Sequence, residues 1–155
     1  MKSPNIVSTY SELEKLISDY EFEKAQNLIE TNLTEDATKS MLVKIADHTS
    51  GNLVYTFVSK VLQKDENSFW HKVASKVAFE TFSDEHEAEK TGLYHILKAI
   101  EHEPTNWKMK EEALKYFRDG ALPEKYIKPY AEAVLRQEPT NHIALMAVES
   151  EVEAF

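Results

Sequence analysis

Cysteine is absent from this 155-residue sequence, and glycine and proline are scarce, with 3 and 5 residues respectively. Without cysteine the chain can form no disulfide framework, no thiolate metal site and no cysteine nucleophile. Three scattered glycines cannot build a glycine-rich phosphate loop, and so few turn-forming residues argue against a loop-rich or β-sandwich fold. The absence of cysteine also suits a reducing compartment.

Long apolar runs are missing as well. No stretch approaches the roughly 20 consecutive apolar residues that are needed to cross a bilayer. The N-terminal segment, MKSPNIVSTYSELEK, becomes charged too early for a secretory signal peptide. We therefore expect a protein that resides in the cytoplasm and has no membrane partner.

Positive charge is in the minority. Lys and Arg total 18 against 27 Asp and Glu, which gives a formal net charge of −9. Contacts with phosphate groups need clustered cations, so nucleic acid is not an expected partner. A basic protein is a more suitable partner, because opposite charge accelerates encounter. The same acidity also has a simpler explanation, which is that it keeps the protein soluble.

Helical periodicity dominates what is present. Apolar residues recur at intervals of three and four through most of the chain, as in Ile96, Ala99 and Ile100. The valine-rich and aromatic segment 53–63 also suits a strand, but the spacing of its apolar residues favours a helix.

Two turn-forming residues predict specific features of the helices in which they lie. Gly51 follows the third helix, where a left-handed residue commonly ends a helix. Pro129 lies inside the eighth helical pattern and predicts a kink or a late start there.

One boundary signal occurs twice: segment 99–106 reads AIEHEPTN, and segment 134–141 reads VLRQEPTN. Proline stops the preceding helix, and Thr or Asn can cap the next one. Helical patterning on both sides of a repeated boundary predicts stacked helix pairs. The expected fold is all-α, with antiparallel helix pairs stacked as a short right-handed α-solenoid of about nine helices. Residues 1–8 would form a short tail, and residues 9–155 a single domain with a C-terminal capping helix.

Parts of this pattern resemble tetratricopeptide repeats, whose signature is W-x2-L-G-x2-Y, then A-x3-F, then P. The first part is similar to Trp70, Val73, Ala74 and Val77, and the second to Gly92, Ile96 and Pro104. The resemblance covers roughly residues 67–141. Residues 34–62 match the family only as helices.

The resemblance implies a protein that binds a peptide or another protein along a concave groove lined by the first helix of each pair. The residues that it places on this groove are Ser68, His71, Ser75 and Phe79 on the fifth helix, and Lys108, Glu112 and Lys115 on the seventh. One version of the family grips a carboxylate tail with a cluster of cations. That cluster is not recognisable in this sequence, which disfavours a chaperone-tail adaptor.

No constellation of residues indicates catalysis, a cofactor or a metal ion. His95 and His102 lie two turns apart on one predicted helix, but neither an HExxH motif nor a repeated Glu-x-x-His motif accompanies them. A Gly-x-Ser-x-Gly nucleophile elbow is also absent. We expect a non-enzymatic interaction module without cofactor or metal. The alternative is a stoichiometric inhibitor, such as a bacterial immunity protein that neutralises a basic toxin.

Overall fold

A computed structural model describes residues 6–153 of the chain, with side chains described for residues 7–150. All regular elements in this range are helices. They are α1 (Ile6–Ser18), α2 (Phe22–Asn32), α3 (Glu35–His48), α4 (Gly51–Lys64), α5 (Ser68–Thr81), α6 (Glu85–His102), α7 (Trp107–Leu114), α8 (Glu124–Gln137) and α9 (His142–Glu153). The prediction of an all-α chain with about nine helices is confirmed for the described residues, and segment 53–63 is helical.

Two helix starts differ from the predicted ones. Helix α1 begins at Ile6, so residues 6–8 are helical and do not belong to a tail; residues 1–5 lie outside the described range. Helix α8 begins at Glu124, so Pro129 lies inside the helix and does not delay its start.

Gly51 has a different role from the one expected. It is the first residue of α4, and positive φ angles in the described range occur instead at Tyr20 (59°) and Gly120 (74°). A Cβ atom at position 51 would lie 2.6 Å from Oγ1 and 3.0 Å from the carbonyl oxygen of Thr81. Glycine is therefore required because the start of α4 approaches the end of α5 closely, and not because the backbone is left-handed.

Packing divides the chain into two compact units, residues 1–92 and residues 93–155, and α6 contributes residues to both. In the first unit, α3, α4 and α5 pack against one another, whereas α1 and α2 pack together and both lie on α4. In a regular stack of helix pairs, the first helix of each pair packs against the first helix of the next pair. The contact between α3 and α5 is of this kind. The right-handed solenoid and the single domain stay predictions.

The core of the first unit is built around Trp70, whose side chain is 1% exposed. Its ring meets Phe57 of α4 edge-on, with centroids 6.0 Å apart, and lies 4.9 Å from Phe69. Phe57 in turn packs on Phe22 of α2, at 5.4 Å. These edge-on and tilted aromatic contacts join α2, α4 and α5 into one core.

In the second unit α7, α8 and α9 pack against one another. The buried side chains of these three helices include Ala113, Ala131, Ala133, Ala144 and Ala147. Helix axes approach more closely where the residues between them are small, so alanine suits a compact three-helix bundle.

The repeated Pro-Thr-Asn boundary forms the same turn twice in the second unit. The backbone N–H of Asn106 donates to the carbonyl of Glu103, and that of Asn141 to the carbonyl of Glu138, both at 3.0 Å. Each Asn side chain then accepts a hydrogen bond from the backbone N–H three residues further on, at 3.3 Å and 3.0 Å respectively. The repeated sequence thus ends one helix and caps the next in both places.

Replacing Asn141 with alanine should lower the free energy of unfolding by about 1–2 kcal/mol, because the cap of α9 is lost. The Asn141 side chain also donates to Glu111 and Glu138, so its removal should cost more than the removal of Asn106. Urea unfolding followed by circular dichroism measures the loss of stability in Asn141→Ala and in Asn106→Ala. Asn141→Ser keeps a capping oxygen and serves as the control. An unchanged midpoint for Asn141→Ala would show that the cap does not stabilise the bundle.

Candidate functional site

The residues predicted for the contact surface lie on two helices and in two units. Ser68, His71, Ser75 and Phe79 lie on α5, whereas Lys108 and Glu112 lie on α7 and Lys115 directly follows it. The two groups differ in the exposure of their side chains.

The α5 group does not form the open face that was predicted. His71 and Ser75 are only 4% and 6% exposed, and Nε2 of His71 lies 2.9 Å from Oε1 of Glu66. The reason is the position of α5, which packs against both α3 and α4 and is buried on most of its circumference. The amphipathic pattern of a helix shows its apolar side but not whether its polar side is covered as well.

Phe79 serves packing between α5 and α6. It is half-buried, and a Cβ atom at Gly92 of α6 would lie 2.5 Å from its ring. The ring therefore occupies the space that the missing side chain of Gly92 leaves open. Ser68 is half-buried at the first position of α5.

The α7 group is accessible. Lys108, Glu112 and Lys115 are all exposed. Nζ of Lys115 lies 3.0 Å from Oε1 of Glu112, and Nζ of Lys108 lies 5.9 Å from the ring centroid of Trp107. This surface carries mixed charge, because a carboxylate neutralises one of its two ammonium groups.

A groove that the sequence did not predict lies between α1 and α3 and has a volume of about 390 Å³. We call it the α1–α3 groove, and its lining residues are Val7 and Tyr10 of α1 and Met41, Lys44, Asp47 and His48 of α3. Val7 is 74% exposed, Tyr10 is half-buried and Met41 is buried, whereas the three polar residues of α3 are exposed. The groove thus combines an apolar surface with a polar rim.

The α1–α3 groove exists because both of its helices rest on α4. Leu13 and Ile17 of α1 are fully buried, and Tyr10 is half-buried at the edge of the same face and packs against the same core. Val7, Tyr10 and Glu14 follow one another at intervals of three and four, which places them on one helical stripe. This stripe was visible in the sequence, but it was missed because Val7 was assigned to the tail.

A hydrogen-bonded pair, Tyr10 and His48, forms part of the lining of the α1–α3 groove. The Tyr10 hydroxyl lies 3.1 Å from Nδ1 of His48, whose ring meets the tyrosine edge-on at 6.2 Å. The same Nδ1 lies 3.5 Å from Oε2 of Glu14. Burial raises the pKa of Tyr10, and the negative charge of Glu14, a hydrogen bond with the Glu14 side chain and the negative charge of Asp47 raise it further. Two carboxylates therefore act on Tyr10, and of these Asp47 lines the groove.

No protein-family model, curated protein or solved structure matches this chain. None of the helices in the described range has the combination of length and apolarity that spanning a membrane requires. The resemblance to tetratricopeptide repeats therefore stays a prediction, and a function has to be argued from the geometry of the helices themselves.

Proposed function

We propose that this protein is a non-enzymatic cytoplasmic interaction module that binds another protein, and that the α1–α3 groove is a contact surface. The observation that carries the proposal is the apolar surface of this groove. Val7 is 74% exposed beside Tyr10 and Met41, and polar residues of α3 surround them. An apolar centre inside a polar rim is typical of surfaces that bind proteins.

Charge indicates the kind of partner. The chain carries a net charge of −9, so a basic protein would be attracted over a distance of about one Debye length, roughly 8–10 Å at physiological salt. Opposite charges mainly raise the rate of association. We therefore expect association with the partner to slow as the salt concentration rises, while dissociation changes less.

The exposed group on α7 is the second candidate surface, since Lys108, Glu112 and Lys115 were predicted for it and all are accessible. These three residues include no apolar side chain that could form the centre of an interface. Charged surface residues without buried apolar contacts contribute little to affinity, and this favours the α1–α3 groove.

Substitutions that separate the two surfaces test the proposal. A partner would first be captured from the native cell with the tagged chain and identified by mass spectrometry, and its affinity for purified variants then measured by calorimetry. Val7→Glu should weaken binding at least tenfold, about 1.4 kcal/mol, by placing a charge in the apolar contact. The fold should survive, because an acidic residue in the first turn of a helix is favourable.

Leu145→Glu is the matched control, because Leu145 is an exposed apolar residue of α9 in the other unit. It should leave the affinity unchanged. Glu112→Lys reports on the α7 surface in the same way. Normal binding by Val7→Glu together with a loss in Glu112→Lys would transfer the contact to α7. Catalytic turnover by the purified protein would contradict the non-enzymatic part of the proposal.

A further inference from the structure

A cleft of about 500 Å³ lies in the second unit and is lined by α8, α9 and the segment that connects α7 to α8. We call it the α9 cleft. Its apolar lining includes Phe117 and Leu122 of the connecting segment, Ile127 of α8 and Ala147 of α9. Leu122 and Ala147 are buried, whereas Phe117 and Ile127 are half-buried. The volume lies within the range of about 300–1,000 Å³ that small-molecule pockets commonly show.

Backbone hydrogen bonds hold the connecting segment in place. The N–H of Gly120 donates to the carbonyl of Phe117 at 3.4 Å, and the N–H of Leu122 donates to the carbonyl of Tyr116 at 3.3 Å. Glycine suits the φ angle of 74° at position 120. Leu122 is 2% exposed and anchors the end of the segment. The α9 cleft is therefore largely formed before a ligand binds, as is usual for small-molecule sites.

Arg118 contributes a positive charge to the lining of the α9 cleft. One of its terminal nitrogens lies 3.6 Å from Sδ of Met146 on α9, and its guanidinium carbon lies 5.8 Å from the ring centroid of Phe117. A thioether sulfur is a weak acceptor, whereas a guanidinium has five N–H donors. Arg118 forms no ion pair with any residue of the described range. Its guanidinium is thus held beside the cleft and still has donors for a carboxylate.

Glu124 contributes a negative charge to the same lining. It is the first residue of α8, and its side chain is exposed. Among the described residues it forms no ion pair with Arg118 or with any other cation. Two opposite charges that line one cleft without neutralising each other can each pair with a ligand. The complementary ligand carries a carboxylate, an ammonium group and an apolar side chain.

We propose that the α9 cleft binds a free α-amino acid with an apolar side chain. The carboxylate of the ligand accepts hydrogen bonds from Arg118, its ammonium group donates to Glu124, and its side chain lies against Phe117, Leu122 and Ile127. Hydrogen bonds between oppositely charged groups are roughly twice as strong as neutral ones. An arginine that is already held in place loses little freedom when the ligand binds. This site goes beyond the proposed function, because it takes a small molecule and belongs to the second unit.

Three related compounds test the proposal. L-leucine carries both charges, isocaproate has the same carbon chain without the ammonium group, and isoamylamine lacks the carboxylate. Each is titrated into the labelled full-length protein at low salt, and amide NMR shifts give both the affinity and the location. L-leucine should bind at least about tenfold more tightly than either analogue. The shifts should include Arg118, Gly120, Ile127 and Ala147.

Two substitutions that each remove one charge assign the roles of the side chains. Arg118→Gln should weaken the binding of L-leucine about fivefold or more and should not weaken the binding of isoamylamine, which has no carboxylate. Glu124→Gln should weaken the binding of L-leucine to a similar degree and should not weaken that of isocaproate, which has no ammonium group. Both side chains are exposed, so the fold should survive, and circular dichroism checks this.

Arg136→Gln and Glu132→Gln are the matched controls, because both residues are exposed on α8 and neither lines the α9 cleft. They should leave the affinity for L-leucine nearly unchanged. Losses as large as those of Arg118→Gln and Glu124→Gln would mean general electrostatic attraction and would overturn the proposal. Equal affinity of the three compounds would overturn it as well, since it would show an apolar surface that does not recognise charge. Shifts confined to other surfaces, or no shifts at millimolar ligand, would also refute it.

Discussion

Trp70→Ala should lower the free energy of unfolding by about 3–5 kcal/mol. Trp70 is 1% exposed and meets Phe57 and Phe69 at 6.0 Å and 4.9 Å, so alanine would leave a large cavity and remove the aromatic contacts between α4 and α5. Domains are stable by only about 5–15 kcal/mol. The loss would therefore be a fifth or more of the total, and the variant should unfold at a markedly lower urea concentration.

Tyr94→Ala is the control for this measurement, because Tyr94 is an aromatic residue that is 53% exposed. It should shift the unfolding midpoint only slightly. If Trp70→Ala cost less than about 1 kcal/mol, the aromatic contacts around Trp70 would not be the centre of the first unit, and the core would have to lie elsewhere.

Gly92→Ala should lower the free energy of unfolding by up to about 2 kcal/mol, even though alanine is the better helix former. The gain in helix propensity is about 1 kcal/mol. Against it stands the overlap of the new Cβ with the Phe79 ring, 2.5 Å away, and overpacking of this kind typically costs about 1–3 kcal/mol. We expect the cost of the overlap to exceed the gain in helix propensity, because the ring occupies the position of the new methyl group. Chemical denaturation of the variant gives the difference.

A double-mutant cycle with Phe79→Ala identifies the cause. With the ring removed, Gly92→Ala should become neutral or stabilising, which gives a coupling energy of about 1 kcal/mol or more. Gly120→Ala is the comparison. No atom lies within 4 Å of a Cβ at position 120, but the φ angle of Gly120 is +74°. The loss of stability in Gly120→Ala should therefore come from backbone strain and should not depend on Phe79. A stabilising Gly92→Ala in the unchanged chain would contradict the close approach of α5 and α6.

Local features of the fold were predictable from the sequence because they depend on residues a few positions apart. Thr34 directly precedes α3 and caps it, since its Oγ1 accepts from the Ala37 N–H at 3.1 Å. Asn106 and Asn141 cap their helices from identical Pro-Thr-Asn turns. The helical period of segment 53–63 also outweighed its strand-forming composition.

Features that depend on which helices meet were not predictable in this way. Gly51 suits either the end of α3 or the start of α4 by its local sequence, and the need for glycine there comes from the close approach of Thr81 on α5. His71 is polar, yet it is buried because α5 packs against two helices. The α1–α3 groove arises because α1 rests on α4, and no periodicity within α1 specifies that choice.

The five buried alanines of the bundle formed by α7, α8 and α9 have a consequence for sequence tolerance. Alanine has no side-chain rotamer to immobilise, so its burial adds no side-chain entropy cost, and its methyl group removes little apolar area from water. These five positions therefore cost little side-chain entropy on folding, and they contribute mainly through the close helix contact that they allow, beside larger buried side chains such as Leu114 and Val134. Substitution in this core should be asymmetric: loss of a methyl group is a modest change, whereas every larger side chain forces the helices apart.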